Sequence, residues 1–299
     1  MVDAWLPYGK TDICVRVPAR NLLGSIEPKE QNGAADAKAE VERALKEPIG
    51  SGKLSEIVKA ERKVAIVVDD ATRRTPSEAM LLPVLAELNA AGVKDENITV
   101  VFGCGTHRAV KAEEAQRLIG AEVLKRVKTI SHDCKAQDLV YVGTTKPHGN
   151  KVYLNRTFAE ADVKVLVGDV GFHYYAGYGG GRKSVLPAVS GEETIKHNHA
   201  MLLDADSRTG VLEGNPVHED MTEAARLAKV NFIVNVVTNS KGETVKAFAG
   251  DLEQAFLEAV KTVDQMYRVA VDRRADIVVA SPGGYPADMN LYQAYKAYA

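Results

Sequence analysis

The sequence predicts an α/β fold with a mainly parallel sheet and helices on both of its faces. Short apolar runs alternate along the chain with longer amphipathic segments, which is the order of strands and helices in such folds. Several runs consist almost wholly of Val, Ile and Leu, as expected for strands buried on both faces. The 299 residues suit one large or two ordinary α/β domains. We therefore expect a Rossmann-like N-terminal domain and the start of a second α/β domain.

Apolar periodicity and end signals place the individual elements. The predicted strands are Asp12–Val17, Lys63–Asp69, Ile98–Phe102, Leu139–Val142, Val163–Val167, Asn231–Val237 and Ile277–Ala280. The predicted helices are Ser77–Ala91, Lys111–Ile119, Glu192–Leu203, Pro216–Ala228 and Leu252–Arg268. Ser77 can cap the first of these helices, and residues 239–242 (NSKG) predict a hairpin between two strands.

A domain boundary is expected near residues 272–274, where a charged stretch precedes a new strand. This divides the chain into a cofactor-binding domain of residues 1–270 and the beginning of a C-terminal domain, residues 271–299. A strand followed by a single helix has little to pack against, so we expect the second domain to be incomplete or paired with another chain.

Composition and charge exclude several classes of protein. The net charge is −2 and the basic residues lie among acids, which argues against a nucleic-acid surface. No apolar run reaches the roughly 18 residues that span a bilayer, and residues 1–5 do not resemble a signal peptide. The three cysteines form no CxxC pair. We predict a cytoplasmic, reduced protein without a membrane partner; its oligomeric state is not indicated.

Three polar motifs follow predicted strands directly, where ligands bind in α/β sheets. Residues 70–76 (DATRRTP) follow the second strand, residues 103–108 (GCGTHR) the third, and residues 168–184 the fifth. The last segment includes a glycine-rich stretch, residues 177–184, whose backbone N–H groups suit an anion, although a flexible loop is an alternative. The stretch matches neither a Walker A loop nor GxGxxG.

Several side chains in these motifs could carry chemistry. Asp70 could accept from ribose hydroxyls and Arg73 could clamp a carboxylate or phosphate, although a helix cap with a neighbouring ion pair is equally compatible. His107 and His173 each follow a strand end, and two histidines can act as acid and base on opposite faces of a substrate. Lys183 could pair with phosphate or serve as a nucleophile or attachment point.

His197 and His199 lie two residues apart on one predicted helix, so they do not share a face. At most one of them should therefore point into a site. No HExxH motif and no Cys/His cluster suggests a metal from the sequence pattern alone.

Five stretches together resemble the lactate racemase family, whose members use a nickel-pincer nucleotide. These stretches are DDATRRTP (69–76), GCGTHR (103–108), FHYYAGYGGGRKSVLPAVSG (172–191), KHNHAML (196–202) and NLYQAYKA (290–297). They occur in family order and cover most of the chain.

The resemblance implies a cofactor and roles for single residues. In the family the cofactor is a pyridinium mononucleotide whose two thio-acid groups hold nickel through S, C and S. The resemblance assigns covalent attachment through a thioamide to Lys183, the fourth nickel ligand to His199, and the acid and base to His107 and His173. It places further residues near the cofactor, namely Asp70, Thr72, Arg73, Thr106, Gly179, Gly180 and Gly181. Arg73, Gln293 and Lys296 are assigned to the substrate.

The implied activity is racemisation or epimerisation of a small 2-hydroxy acid by proton-coupled hydride transfer. One histidine takes the hydroxyl proton while the C2 hydride moves to the pincer carbon, and a 2-keto acid forms, reorients and is reduced on either face. Separate enzymes assemble the cofactor in this family, so they are implied partners. The motifs belong to the cofactor and do not choose among lactate, malate and other 2-hydroxy acids.

Two other classes of function remain open from the sequence. Family members are typically longer, which motivates a non-catalytic fragment that binds the nucleotide without turnover. An NAD(P)-type α/β oxidoreductase is the second alternative, and the absence of GxGxxG counts against it.

Overall fold

The computed structural model describes residues 1–73, 75–146, 148–285, 288–294 and 297, with the backbone alone at 292 and 293. Chain contacts divide it into two compact units. The larger comprises residues 30–266, and the smaller combines residues 1–29 with residues 267–299. In the described part of the chain, no helix is both long and apolar enough to cross a membrane.

The strands, numbered in chain order, are short and separated mostly by helices. They are β1 (Val2–Tyr8), β2 (Thr11–Val17), β3 (Val64–Asp69), β4 (Ile98–Gly103), β5 (Lys128–Ser131), β6 (Val140–Thr144), β7 (Lys151–Leu154), β8 (Val163–Asp169), β9 (Phe172–His173), β10 (Gly177–Tyr178), β11 (Phe232–Thr238) and β12 (Thr244–Gly250).

The helices complete the α/β alternation. They are α1 (Ala37–Lys46), α2 (Leu54–Ile57), α3 (Ser77–Ala90), α4 (Ala112–Arg126), α5 (Arg156–Ala159), α6 (Glu192–Ala200), α7 (Pro216–Leu227), α8 (Gln254–Tyr267) and α9 (Leu291–Ala294). Single 3₁₀ turns occur at Ala19–Asn21, Asp95–Asn97, Gly181–Ser184 and Met201–Leu203.

A six-stranded sheet organises the described part of the larger unit, in the order β12-β11-β8-β3-β4-β5. Five of these strands run parallel to one another, namely β3, β4, β5, β8 and β11. The sixth, β12, lies at the edge of the sheet and pairs antiparallel with β11 through the predicted hairpin. Strands β3, β8 and β11 are buried on both faces, which explains their continuous apolar runs. The predicted α/β class with a mainly parallel sheet is therefore confirmed.

The two faces of the sheet pack against different parts of the chain. Helix α3 contacts both α1 and α4, and apolar side chains of the three helices form one core with alternate strand residues such as Ile66 and Val165. Intervening residues such as Val67 face the other side, where Val67 and Ala188 crowd around Gly103. The segment around Ala188, which follows the glycine-rich stretch, is thereby held against the sheet.

Three predictions of local structure are wrong. Residues 277–280 are irregular and exposed, because a strand needs a hydrogen-bonded partner and no described segment pairs with them. Ser77 does not cap α3: Pro76 occupies the cap position, and the Ser77 hydroxyl has no partner among the described residues. The helix predicted to end at Ile119 continues to Arg126 through a break at Gly120, which has φ 77°.

The smaller unit is a hairpin with part of the C-terminal segment. β1 and β2 pair antiparallel from Val2–Val17 to Tyr8–Thr11. The Gly9 carbonyl accepts a 2.6 Å hydrogen bond from the Tyr285 amide, and Asp288 accepts one of 2.6 Å from the Gly9 amide. The predicted division of the chain at residue 270 stays a prediction.

Candidate active site

The three polar motifs meet at one edge of the sheet because β3, β4 and β8 are parallel neighbours. Asp69 at the end of β3 lies opposite Gly103 at the end of β4. The Thr75 hydroxyl lies 2.6 Å from an Asp69 carboxylate oxygen and 2.8 Å from one of Asp169, so it joins the loop after β3 to the end of β8. The convergence expected from the sequence is thus present.

An Asp–His pair lies between the first two motifs. Asp70 is 5% exposed, and one of its oxygens lies 2.6 Å from Nδ1 of His107. Its other oxygen accepts from the Thr72 amide and hydroxyl, at 3.0 and 2.6 Å. Burial alone would raise the pKa of Asp70, but the hydrogen bonds from His107 and Thr72 outweigh it and hold that pKa below its ordinary value. Asp70 is therefore ionised and its partner nitrogen on His107 is a donor, which leaves the lone pair on Nε2.

His173 has the opposite hydrogen-bonding pattern. Its Nδ1 accepts from the Ala176 amide at 3.2 Å, so a neutral ring carries its proton on Nε2. Burial lowers the pKa of His173 well below its ordinary value, and the charges of Lys183 and Arg73 lower it further. His173 is therefore neutral at neutral pH and has an N–H at Nε2, whereas the neutral form of His107 has its lone pair there.

Three of the predicted site residues lie around the ring of Tyr175. Tyr175 is 7% exposed, and its ring centroid lies 4.5 Å from that of His173 and 5.3 Å from that of His199. The Lys183 ammonium lies 5.8 Å from the same centroid. The end of α6 and the glycine-rich stretch of residues 177–184, called the glycine-rich turn below, thus lie on either side of the Tyr175 ring.

His199, not His197, faces this cluster. Burial lowers the pKa of His199 to about 4, and the Lys183 charge adds to the effect, so the ring is neutral at neutral pH. The His197 Nε2 lies 2.9 Å from the carbonyl of His148, in an exposed contact away from Tyr175. The two histidines therefore point to different neighbours, as their spacing predicts.

Close contacts with other backbone segments of the protein determine the conformation of the glycine-rich turn. Gly177 and Gly180 have φ of 74° and 76°, and a Cβ at these positions would lie 2.1 Å from the Val211 carbonyl oxygen and 2.6 Å from that of Asp169. The Gly181 amide donates to the side chain of Asn235 at 3.0 Å. In contrast, a Cβ at Gly179 would meet no atom nearer than 3.8 Å, so the protein leaves room for a side-chain atom at this position.

Arg182 stands in the glycine-rich stretch where a Walker A loop would have its second glycine, and the sequence pattern does not indicate that its side chain supports this stretch. It is 2% exposed, and its guanidinium donates to the carbonyls of Ala176 and Gly180 and to Nδ1 of His218. Burial lowers its pKa to about 9. The Cζ atom of Arg182 lies 4.4 Å from the centroid of the Phe256 ring. Only the tertiary contacts reveal this position between the glycine-rich turn and an aromatic residue.

The remaining predicted site residues are less constrained. Thr106 and Arg73 are exposed in their loops. Gln293 lies in α9, and only its backbone is described. Lys296 lies outside the described residues. Among the residues that the structure does describe, no group of three or more His, Cys, Asp or Glu side chains is arranged to hold a metal ion.

The fold and the site define an α/β protein with a histidine- and lysine-containing cleft at the carboxyl edge of a parallel sheet. Residues 8–210 match the family model of the lactate racemase N-terminal domain. A lactate racemase of Thermoanaerobacterium thermosaccharolyticum is 34% identical over 300 residues, covering 99% of this chain and 70% of that protein. A lactate racemase of Lactiplantibacillus plantarum is 33% identical over 302 residues, with the same coverage.

Solved structures agree with the sequence comparisons. The structure of the lactate racemase apoprotein from T. thermosaccharolyticum superimposes with a TM-score of 0.90 at 33% identity, covering 99% of this chain and 70% of that one. A Thermotoga maritima protein shares the fold, with a TM-score of 0.63 at 22% identity, over 78% of this chain and 59% of that one. The chain belongs to the lactate racemase family and is therefore an isomerase of the racemase class.

Proposed function

We propose that the protein racemises a small 2-hydroxy acid, with lactate as the first candidate, by using a nickel-pincer nucleotide attached to Lys183. The observation that carries the proposal is the arrangement of His173, Lys183 and His199 around the Tyr175 ring. The relatives that cover 99% of this chain are lactate racemases, which supports lactate as the substrate.

The residues present fit such a cofactor. A lysine amine near the site suits attachment, and a neutral imidazole such as His199 has a lone pair for a metal. The nucleotide is anionic, and the positive charges of Arg73, Lys183 and Arg182 all act at the buried His173, which favours an anion near this side chain. Gly171 borders empty space, since an added Cβ would meet no atom within 4 Å, and this space could admit part of a ligand.

Lys183 would attach the cofactor, His199 would complete the coordination of nickel, and the chain would orient the substrate. When bound, the cofactor supplies a carbon that reversibly takes up the hydride from C2 of the substrate. Arg73 is proposed to pair with the substrate carboxylate, since guanidinium and carboxylate form two parallel hydrogen bonds. Asp70, Thr72, Thr106 and the three glycines Gly179–Gly181 are proposed to border the nucleotide, and Gln293 and Lys296 to contact the substrate.

The two histidines move the hydroxyl proton. His107, held by Asp70, has its lone pair on Nε2 and can take the proton from the substrate hydroxyl. His173 carries its proton on Nε2 and can donate a hydrogen bond to the same oxygen from its own side. The proton that His107 has taken is then available to return to the 2-keto acid oxygen when the acid is reduced. Racemisation needs the 2-keto acid to be reduced on either face, and two histidines with different hydrogen-bonding patterns can serve its oxygen in both orientations.

The test is loss of optical purity. Protein produced together with cofactor-assembly enzymes and loaded with nickel is incubated with enantiopure lactate, malate and other 2-hydroxy acids, and the products are separated by chiral chromatography. We expect racemisation of at least one short-chain acid without added nicotinamide. Cofactor and nickel bound at full occupancy with no turnover of any acid would instead identify a non-catalytic carrier.

A further inference from the structure

Asp220 is a fully buried carboxylate on α7 that receives hydrogen bonds only from neutral groups among the described residues. Its first oxygen accepts from the Thr145 hydroxyl at 2.7 Å. Its second oxygen accepts from the side-chain amides of Asn150 and Asn198, both at 2.8 Å. A carboxylate oxygen can only accept, so the amide nitrogen, not the oxygen, of Asn198 faces Asp220.

A second acceptor fixes the same orientation of the Asn198 amide. Its Nδ2 also donates to the Val217 carbonyl at 3.2 Å, and the side chain is 0% exposed. Rotating the amide by 180° would place its oxygen against two acceptors in a buried place, which costs about 1–3 kcal/mol per unsatisfied group. The Asn198 oxygen must therefore point away from Asp220.

The side-chain oxygen of Asn198 lies 3.2 Å from Nδ1 of His199. An amide oxygen only accepts, so Nδ1 of His199 is the donor and carries the proton. A neutral imidazole has one proton, and the lone pair is then on Nε2. The adjacent Tyr175 ring, at 65° to the imidazole plane, restricts rotation of the same side chain.

We infer that Asp220, acting through Asn198, holds His199 in the Nδ1–H form and so prepares its Nε2 as a metal ligand. The tautomer follows from hydrogen-bond direction alone; that His199 binds a metal, and that this metal is nickel, rest on the proposed function. Asp220 and Asn198 are positioning residues, because they act on the metal through His199. Loss of such a partner of a metal-ligating histidine typically lowers metal affinity about 10–100-fold.

Asn150 provides a matched control for Asn198. Each buried asparagine donates to the same Asp220 oxygen and to one backbone carbonyl, that of Thr194 for Asn150 and that of Val217 for Asn198. Only Asn198 bonds to His199. Asn150→Ala and Asn198→Ala thus remove equivalent structural contacts and differ in the contact to the imidazole.

The first experiment is ¹⁵N NMR of histidine-labelled, cofactor-free full-length chain at about pH 8, where an imidazole of ordinary pKa is neutral. The signals of His199 are identified by their loss in His199→Ala. We expect a protonated Nδ1 and an unprotonated Nε2 in the wild type and in Asn150→Ala, and a shift of the proton toward Nε2 in Asn198→Ala. A wild-type ring protonated on Nε2, or equal shifts in both asparagine variants, would overturn the inference. The wild-type spectrum decides the tautomer even if Asn198→Ala does not fold.

The second experiment measures nickel in the cofactor-loaded protein by metal analysis during titration with a chelator. Asn198→Ala should retain nickel about 10–100-fold more weakly than Asn150→Ala. Equal retention in the two variants would contradict the preparation of His199 by Asn198. If His199→Ala itself retains nickel like the wild type, the assigned metal ligand in the proposed function is wrong, while the tautomer measured by NMR stands.

Discussion

At the scale of single residues, hydrogen-bond partners separate histidines that the sequence leaves alike. His107 and His173 both follow strand ends, yet one shares its Nδ1 proton with a buried carboxylate and the other accepts a backbone N–H. Because a neutral imidazole has one proton, these partners determine which ring nitrogen carries the proton and which has the lone pair.

The Asp70–His107 pair leads to a prediction for Asp70→Asn. Asparagine removes the charge that stabilises a protonated His107 and lets Nδ1 act as an acceptor, so turnover should fall by about 10²–10⁴-fold. Racemisation rate and bound cofactor are measured on the same preparation, and cofactor content should be unchanged. Asp162→Asn, at the opposite end of β8, is the control and should retain its rate. Equal losses of cofactor and rate in Asp70→Asn would show that Asp70 holds the nucleotide instead.

Lys183 leads to a prediction for covalent attachment. Lys183→Ala should eliminate the mass added by the cofactor, because no other group replaces the amine that forms the bond. Intact-protein mass spectrometry provides the measurement. The control is Lys196→Ala, an exposed lysine that pairs with Glu192 and Glu193, and it should retain the added mass. An adduct that persists in Lys183→Ala would place the attachment elsewhere.

At the scale of elements, adjacent glycines of the glycine-rich turn are under different constraints. Gly180 requires a positive φ and lies against the Asp169 carbonyl, whereas Gly179 has neither constraint. A pattern of three consecutive glycines cannot distinguish these roles, since the difference depends on what packs against each Cα.

The adjacent glycines provide matched variants. Gly180→Ala should destabilise the protein by at least about 1–2 kcal/mol, from the positive φ and the overlap with a backbone oxygen. Gly179→Ala should change stability little, because its Cβ meets no atom nearer than 3.8 Å. Urea denaturation measures both, with the midpoint falling and the slope unchanged for Gly180→Ala. Equal effects of the two substitutions would contradict this assignment of roles.

The ends of β3 and β8 are joined by one hydroxyl between two carboxyl groups. Thr75 has a single hydroxyl proton, yet its oxygen lies within 2.8 Å of both Asp69 and Asp169. Both contacts are hydrogen bonds only if one carboxyl group supplies a second proton. Burial and the charge of Asp169 raise the pKa of Asp69 to about 7, so Asp69 is the group that retains this proton.

At the scale of the whole molecule, this retained proton couples folding to pH. Asp69 titrates at 3.8 ordinarily and at about 7 in the folded protein, so between these values only the folded chain keeps the proton. Protonation thus stabilises the fold at low pH, and the contribution is lost as pH rises toward 7. The free energy of unfolding should fall by up to about 1.4 kcal/mol per pH unit from this group.

The measurement compares wild type and Asp69→Asn by denaturation from pH 4 to pH 8, within the range set by these two pKa values. Asparagine stays neutral, so the variant should gain stability relative to wild type as pH rises. In Asp169→Asn the negative charge beside Asp69 is absent, so the pKa of Asp69 should fall and the stability change should move to lower pH. A stability difference between wild type and Asp69→Asn that stays constant with pH would contradict the retained proton.

The described part of the fold was largely predictable where local signals are strong. The buried strands β3, β4, β8 and β11 and the amphipathic helices α7 and α8 follow from apolar runs and periodicity. The short edge strand β5 and the hairpin strand β1 lacked such a pattern. Residues 277–280 are as apolar as a buried strand, yet they are exposed because pairing, not composition, makes a strand.

The sequence by itself determined the α/β class, the family, and the set of histidines and lysine at the strand ends, because buried parallel strands and cofactor motifs leave contiguous patterns. Only the tertiary structure decided which nitrogen of each histidine carries a proton, that Arg182 is buried, and that Asp220 acts on His199 through Asn198. These properties depend on contacts between residues far apart in the chain, and hydrogen-bond direction and burial exist only after those residues have been brought together.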